Sequence, residues 1–329
     1  MTHNALPPWH AQTLWQQLEP LLPGLSVEVV ARTDSTSTQL LERIRAAAGD
    51  AGRHDAGRRE PDRRAAPPQA RRAGDTQPAL LVAEQQSAGR GRMGREWQGQ
   101  AGASLTFSLA LPLAPADWAG LSLAAGLALA EALDPADAGD PGANVAAAAA
   151  MAGTPTRLAL KWPNDLWLRD PSAPGGGRKL GGVLIETLSL GATRMVVVGV
   201  GLNVQPQTLS GLASGYACLQ EIDPQMSAPA ALHRIAMPLV QALLDFQAQG
   251  LSPLLPAYRR RDLLCGRRVS TTLAEARSGV ALGIDTQGAL RLRLPDGREQ
   301  LVTSGEVSVR AGDMDPAGAQ AAAPPGRAG

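Results

Sequence analysis

Residues 89–95, GRGRMGR, set Arg90, Arg92 and Arg95 among Gly89, Gly91 and Gly94. Guanidinium forks match phosphate or carboxylate oxygens, and glycine lets a backbone move or come close to a ligand. The glycines also satisfy G-x-G-x-x-G. A dinucleotide turn, a nucleic-acid patch and a loop for other phosphate chemistry therefore all stand as readings. A dinucleotide turn needs a strand running straight into the first glycine and a helix opening after the third. Here polar QQSA (85–88) follows ALLVAE (79–84), and REWQGQAGAS (95–104) has no helical period. No acidic residue stands at the ribose-binding offset, and G-x-x-x-x-G-K-[ST] occurs nowhere. What remains is strand–loop–strand with a mobile arginine loop, which a solvated turn would explain equally well if the stretch stood alone.

Three further stretches accompany it. KWPND (161–165) puts Lys161 and Asp165 at the two ends of a proline-enforced break, and RKLGG (178–182) sets Lys179 before Gly181 and Gly182. GVGLNV (199–204) ends a strand at Asn203. Singly these read as a strand-end charge, a loop lysine and a turn asparagine. Their order along the chain, with DST (34–36) upstream, is far more specific.

The elements that must position these residues can be read from periodicity. SVEVVAR (26–32) alternates as a strand and runs into DSTSTQLLERIRAA (34–47), a helix start. Thr36 and Gln39 there have capping-box spacing. ALLVAE reads as a buried strand and SLTFSLAL (104–111) as an alternating one; residues 121–134 read as a helix. RLALKWPNDLWL (157–168) is strand, break, strand. VLIETL and RMVVVGVGLNV, separated by SLGAT, predict a hairpin. A helix over 230–249 carries Pro238, where a kink is expected. After Gly266, short strands punctuated by DTQG and PDG turns predict a small β-barrel that must dock on the rest to be stable. Residues 46–78 hold seven arginines and five acids with no Ile, Leu, Val, Met or aromatic residue, so a disordered insertion is expected there. A loop insertion at 135–156 and a disordered tail at 311–329 complete the expected organisation.

Bulk properties narrow the function classes. The 329 residues have room for about two domains, and a net charge of +1 confines any basic work to local patches. Cys218 and Cys265 have no metal-like spacing, and the four histidines form no cluster, which disfavours a zinc or triad enzyme. The N-terminal residues lack a signal-peptide pattern, and the apolar run at 119–130 is too short to span a bilayer. A soluble cytoplasmic protein is expected.

DSTS (34–37), AEQQSAGRGRMGREW (83–97), KWPNDLWL (161–168), RKLGGVLIE (178–186) and GVGLNV (199–204), in that order, resemble the biotin protein ligases. The likeness covers most of residues 26–310 outside the two insertions. It implies an α+β fold: a mixed, largely antiparallel sheet with flanking helices, of class II synthetase-like type, over 26–265. A short extension (1–25) would precede it and an SH3-like β-barrel (266–310) would follow. The activity implied is biotin plus ATP giving biotinyl-5′-AMP, with Mg2+, and then transfer of biotin to a lysine of a biotin carboxyl carrier protein.

By the same resemblance, Ser35, Thr36, Ser37 and Gln86 match positions that hold the biotin ureido ring, whose carbonyl and two N–H groups suit hydroxyls and an amide. The family usually has Asn where Ser37 stands. Arg90, Gly91 and Arg92 match the loop that closes over biotin and the adenylate. Lys179 matches the lysine at the biotin carboxylate and α-phosphate, and is the principal catalytic cation with Arg90 and Arg92. Gly182 gives close backbone approach beside it. Lys161 and Asp165 are the candidates for phosphates and Mg2+, Arg95 for phosphate or for shaping the loop, and Asn203 for the adenine side. Tyr216 either stacks on the base or packs beneath its loop, and Trp97 either walls the pocket or sits in the core. No DNA or membrane partner is expected. The residues ahead of the first strand are too few for a three-helix DNA-binding domain, so no repressor role is expected; a homodimer stays open.

Two competing readings remain. A lipoate or octanoyl ligase shares the broad fold, although KWPND and GRGRMG favour biotin. An RNA-binding module would need an aromatic stacking platform, and the chain has two Phe and two Tyr. Because a mixed anhydride hydrolyses readily, loop closure should protect it. Arg92→Gly is therefore expected to release biotinyl-AMP faster than the wild type in stopped-flow measurements; an unchanged release rate would count against a protective loop.

Overall fold

The computed structural model describes residues 8–54, 76–135, 156–191, 193–209, 215–303 and 307–314. The chain divides into two compact units, Met1–Ala114 with Leu184–Gly201, and Pro115–Val183 with Leu202–Gly329. In chain order the first elements are α1 (Ala11–Leu18), β1 (Ser26–Thr33), α2 (Thr36–His54), β2 (Ala79–Gln86), β3 (Gly89–Arg90), β4 (Glu96–Trp97) and β5 (Ser104–Pro112). Then come α3 (Leu121–Leu133), β6 (Leu158–Lys161), β7 (Asp165–Arg169), β8 (Gly177–Leu190) and β9 (Thr193–Asn203). Helices α4 (Ala228–Gln249) and α5 (Leu255–Arg261) lead to β10 (Arg267–Thr271), β11 (Ser278–Ile284), β12 (Leu290–Arg293), β13 (Glu299–Val302) and β14 (Val307–Met314). Strands β8 and β9 each contribute residues to both units.

In the first unit the sheet order is β1-β2-β5-β9-β8. β1 and β2 are parallel, in register from Ser26↔Ala79 to Thr33↔Gln86, while β2 and β5 are antiparallel. A parallel pair needs a crossover, and α2 lies between the two strands in sequence. Its Leu40, Leu41 and Ile44 form one apolar stripe, buried against Ala79, Leu81, Ala110, Met195 and Val197. Each such side chain contributes about 1.5–3 kcal/mol on burial.

Three expectations for this unit are corrected. The helix cap sits one residue earlier than the Thr36/Gln39 box: Ser35 Oγ accepts the Thr38 N–H at 3.4 Å, and Gln39 Nε2 donates to Asp34 Oδ1 at 3.1 Å. Thr36 cannot cap because its own amide and hydroxyl are engaged elsewhere. Helix α2 also continues to His54, into the segment expected to be disordered from residue 46. Finally, Ser104–Leu111 of β5 is buried at every position, not at alternate ones. With β2 and β9 on either side, its polar positions face an interior, and Thr106 Oγ1 donates to the Ala83 carbonyl at 2.9 Å. Residues 55–75, 136–155 and 315–329, within the expected insertions and tail, lie outside the described residues.

In the second unit β8, β7 and β6 are neighbours, with β6–β7 and β7–β8 antiparallel. The β6–β7 turn holds a cis Trp162–Pro163 peptide, at the break expected from KWPND. Helix α3 is apolar nearly all round and is buried accordingly. It packs on α4, which passes through Pro238 as one continuous helix. From α5, the fully buried Arg261 donates to the Leu158 carbonyl at 3.0 Å and to Asp134 Oδ2 at 3.1 Å, and also to the Asp134 carbonyl. This stitches the end of α3 to the start of β6.

The C-terminal strands form an antiparallel sheet in the order β13-β12-β11-β10-β14. Where a barrel was expected, no pairing among the described residues closes β13 on β14. Strand β14 reaches Met314, which pairs with Arg267, so the sheet extends past residue 310. Trp162 Nε1 donates to the Gly288 carbonyl at 2.9 Å, tying the sheet to the β6–β7 turn.

Asp262, at the entry to this sheet, is buried, and its Oδ1 accepts the Leu264 and Cys265 N–H groups at 2.8 and 3.3 Å. Burial nevertheless pushes its carboxyl up to about 6. The folded state then keeps a proton that the unfolded chain, titrating near ~3.9, has released. Stability should fall by roughly 2–3 kcal/mol as pH rises from about 4 to about 6. Asp262→Asn keeps the Oδ1 acceptor and should flatten that part of the stability–pH curve in denaturant titrations. A slope equal to the wild type's would contradict the assignment.

Candidate active site

In the first unit the chain leaves β1, turns at Asp34 and enters α2. Asp34 Oδ1 accepts the Ser35 N–H at 2.6 Å, the Thr33 hydroxyl at 3.0 Å and the Gln39 amide. The Ser35 hydrogen bond, aided by Gln39 and Thr33 and opposed by burial, holds the Asp34 carboxyl below its usual value. The turn thus presents Ser35, Thr36 and Ser37, all buried. Thr36 donates its backbone N–H to Gln86 Oε1 at 2.7 Å and its hydroxyl to the same oxygen at 3.1 Å. Ser108 Oγ, on β5, lies 2.7 Å from Thr36 Oγ1 and 2.9 Å from Ser37 Oγ.

Strand β9 makes room for this cluster. A Cβ on Gly199 would stand 2.6 Å from Ser37 Oγ, and one on Gly201 would stand 2.5 Å from the Trp97 ring. The indole therefore lies flat against bare backbone. Trp97 Nε1 is buried without a hydrogen-bond partner. Of the two readings for Trp97, one face is plainly packing, while its nitrogen keeps an unused donor.

The arginine stretch is a short hairpin rather than an open loop. Gly89 pairs with Trp97 and Arg90 with Glu96, and the Gly91 N–H donates to the Arg95 carbonyl at 2.7 Å. The turn needs left-handed backbone at Met93 (φ 57°) and Gly94 (φ 73°). Arg90 forks onto Glu186 of β8, with Nη2–Oε1 3.0 Å and Nη1–Oε2 3.4 Å. Arg92 is half-buried and Arg95 exposed.

In the second unit Lys179 Nζ lies 2.8 Å from Asp165 Oδ1, with both side chains mostly covered. The β7–β8 register shifts between Leu166 and Trp167, bringing Gly182 opposite Asp165. A Cβ on Gly182 would come 3.1 Å from Asp165 Oδ1, so this glycine clears space for the carboxylate. Lys161 pairs with Asp165 across the hairpin, but its ammonium sits 4.5 Å over the Trp167 ring. Asn203 Nδ2 donates to the Ala217 carbonyl at 3.0 Å and more weakly to that of Lys179 at 3.5 Å, while its Oδ1 is buried with no partner. Tyr216 donates its hydroxyl to the Gln205 carbonyl at 2.6 Å, and burial pushes that phenol up to about 12.

Each unit thus gathers part of the expected set: Ser35, Thr36, Ser37 and Gln86 with the arginine hairpin in one, Lys161, Asp165, Lys179, Gly182, Asn203 and Tyr216 in the other. Sequence reasoning gave no role to Asp34, Ser108, Glu186 or Arg178. Asp34, Glu186 and Arg178 stood inside quoted motifs. Ser108 was signalled only as one of the alternating polar positions, with Ser104 and Thr106, of SLTFSLAL. Among the described residues, no group of three or more His, Cys, Asp or Glu is placed to hold a metal ion, and no helix is long and apolar enough to cross a membrane.

Residues 69–203 match the Biotin/lipoate A/B protein ligase family, and residues 264–310 match the biotin protein ligase C-terminal domain. The chain is 33% identical over 312 residues to the biotin–[acetyl-CoA-carboxylase] ligase of Mycobacterium tuberculosis H37Rv, covering 92% of this chain and 96% of that protein. It is 31% identical over 304 residues to the bifunctional ligase/repressor BirA of Escherichia coli K12, covering 91% and 78% respectively. A biotin protein ligase from Aquifex aeolicus, solved in complex with biotin and ATP, superposes with a TM-score of 0.59 over 87% of this chain and 99% of that one. At 22% identity that likeness speaks to the fold.

The close fit of Trp97 against Gly201 can be tested directly. Gly201→Ala should lower stability by about 1–3 kcal/mol, since neither an inner strand nor an indole can yield easily. Adding Trp97→Phe should recover part of the loss in a double-mutant cycle. Strict additivity of the two losses in denaturant melts would show that the contact is not tight.

Proposed function

The chain belongs to the biotin protein ligases, and from that premise we propose that it joins biotin to ATP and then passes the biotinyl group to a lysine of a biotin carboxyl carrier domain. In the first step a biotin carboxylate oxygen forms a bond to the α-phosphorus while the bond to the pyrophosphate oxygen breaks. In the second the acceptor amine, having lost its proton, attacks the biotinyl carbonyl and AMP leaves with the bridging oxygen. The observation that carries this reading is the mutually hydrogen-bonded cluster of buried Thr36, Ser37 and Ser108 with half-buried Gln86, beside the buried Ser35 that caps α2. Hydroxyls both donate and accept, so such a cluster matches a cyclic urea with one acceptor and two donors.

The first step brings two anions together, and preorganised cations lower that barrier. Lys179 is assigned to the carboxylate and α-phosphate. An ammonium has three N–H donors, so it can keep Asp165 and still offer others. Arg90 and Arg92, with the Gly91 backbone, are assigned to the loop over biotin and the adenylate, and Arg95 to phosphate. Lys161, whose ammonium lies over the Trp167 ring, is assigned to the phosphates. The unpartnered Asn203 Oδ1 suits the exocyclic amine of adenine. Tyr216, its hydroxyl already engaged, has only its ring face to offer a base.

For Mg2+, Asp165 is the carboxylate assigned. Magnesium commonly takes one or two carboxylates and fills its remaining positions with phosphate oxygens and water, so a site with a single carboxylate fits. When bound, the ion would neutralise phosphate charge. The contribution of this chain is a carboxylate oriented by Lys179.

Repressor activity, carried in the name of the Escherichia coli relative, is not part of this reading. Biotin-dependent ATP–pyrophosphate exchange, followed by a biotinyl mass increment on a carrier domain, tests the whole proposal. Lys179→Ala should slow exchange about a hundred- to thousand-fold, the 3–4 kcal/mol typical of a lost transition-state donor. Exchange supported by lipoate and not by biotin would overturn the substrate assignment.

A further inference from the structure

Arg178 stands one residue before Lys179 on β8, so its side chain leaves the opposite face of the strand. Its Nε donates to Asp170 Oδ2 at 2.8 Å and its Nη2 to Glu221 Oε2 at 2.6 Å. Its Nη1 reaches Glu221 Oε1 at 3.1 Å and the Tyr216 carbonyl at 2.6 Å. Glu221 Oε1 in turn accepts the Cys218 N–H at 3.0 Å. A planar guanidinium can serve these partners together; a lysine cannot.

The consequence is geometric. Residues 216–221 are fastened to β8 at Arg178, and again where the Ala217 N–H donates to the Lys179 carbonyl at 2.9 Å. The Ala217 carbonyl then accepts Asn203 Nδ2. With its amide nitrogen spent on Lys179 and Ala217, Asn203 is held in one orientation, its buried Oδ1 unpartnered. Gly215, just before this segment, has φ 67°, and a Cβ there would stand 3.0 Å from Arg178 Cγ. The arginine is packed as well as paired.

We propose that Arg178, with Asp170 and Glu221, is a positioning residue for the nucleotide: the clamp fixes where the Asn203 acceptor stands and so selects a base that offers an amine there, adenine over guanine. Guanine would place a carbonyl against Oδ1, leaving two acceptors with no proton between them. A site built on such a hydrogen bond rejects the analogue that cannot make it. The proposal rests on the ligase reading above.

The test uses the full chain with Arg178→Lys and Glu221→Gln. Three quantities are measured: the KM for ATP and for GTP in biotin-dependent pyrophosphate exchange, and the dissociation constant of biotin alone by equilibrium dialysis. Both variants should raise the ATP KM about tenfold with kcat within about threefold. They should narrow the ATP-to-GTP preference and leave biotin affinity unchanged. Should Arg178→Lys fail to fold, Glu221→Gln, which keeps the Cys218 acceptor, decides alone. An ATP KM within twofold of wild type with an intact preference, or biotin affinity lost in step with ATP, overturns the clamp. A wild-type protein inert in exchange overturns the ligase reading instead.

Discussion

An ammonium held 2.8 Å from a carboxylate by two neighbouring strands is the interaction around which the candidate residues of the second unit gather. Lys179 and Asp165 come together because β8 shifts register against β7 at this point and because Gly182 has no side chain to fill the gap. The same strand carries Arg178 on its other face, fastening residues 216–221, and further along Glu186, which meets Arg90. One strand therefore carries an ammonium paired with Asp165, a guanidinium that fastens residues 216–221, and an anion that holds Arg90. Such alternation is possible only because successive strand residues face opposite ways.

The first unit solves a different problem. Hydroxyl groups are costly to bury unless every one finds a partner. Here Thr36, Ser37 and Ser108 satisfy one another and Gln86. Gly199 and Gly201 set the depth of the cluster by letting β9 lie against a hydroxyl and an indole with no methyl between.

Much of this was legible in the residues. Alternation located β1, the apolar runs located β2 and β9, and the i, i+1, i+4 stripe of Leu40, Leu41 and Ile44 located α2. Gln86, Lys161 and Asn203 fell at strand ends, but Lys179, read as a loop lysine, and Gly182 lie inside β8, because residues 177–182 pair with β7. What was not legible depended on tertiary partners. The cap of α2 moved to Ser35 because Gln86, fifty residues away, claims Thr36. β5 looked half-exposed because serine and threonine read as solvent-facing until the hydroxyls opposite them are known. The arginine stretch looked like a free loop because the Gly91–Arg95 hydrogen bond and the Glu186 fork cannot be read from composition.

Within each unit the cations are matched by acids, in keeping with a chain of net charge +1. Arg90 has Glu186, Lys179 has Asp165, and Arg178 has both Asp170 and Glu221. Guanidinium and ammonium groups crowded together without acids would repel one another and weaken the folded state. Their pairing removes that strain. The pairs differ in how firmly they hold. Arg178 is gripped by two carboxylates and a carbonyl, and Glu221, raised by burial, is brought below its ordinary value by hydrogen bonds from Arg178 and Cys218. Arg90 has one carboxylate and remains nearly half exposed. A phosphate, with more oxygens to offer, competes more readily with the single carboxylate on a half-exposed Arg90 than with the two carboxylates and the carbonyl that hold Arg178. The firmly held arginine is accordingly suited to position, and the loosely held one to move.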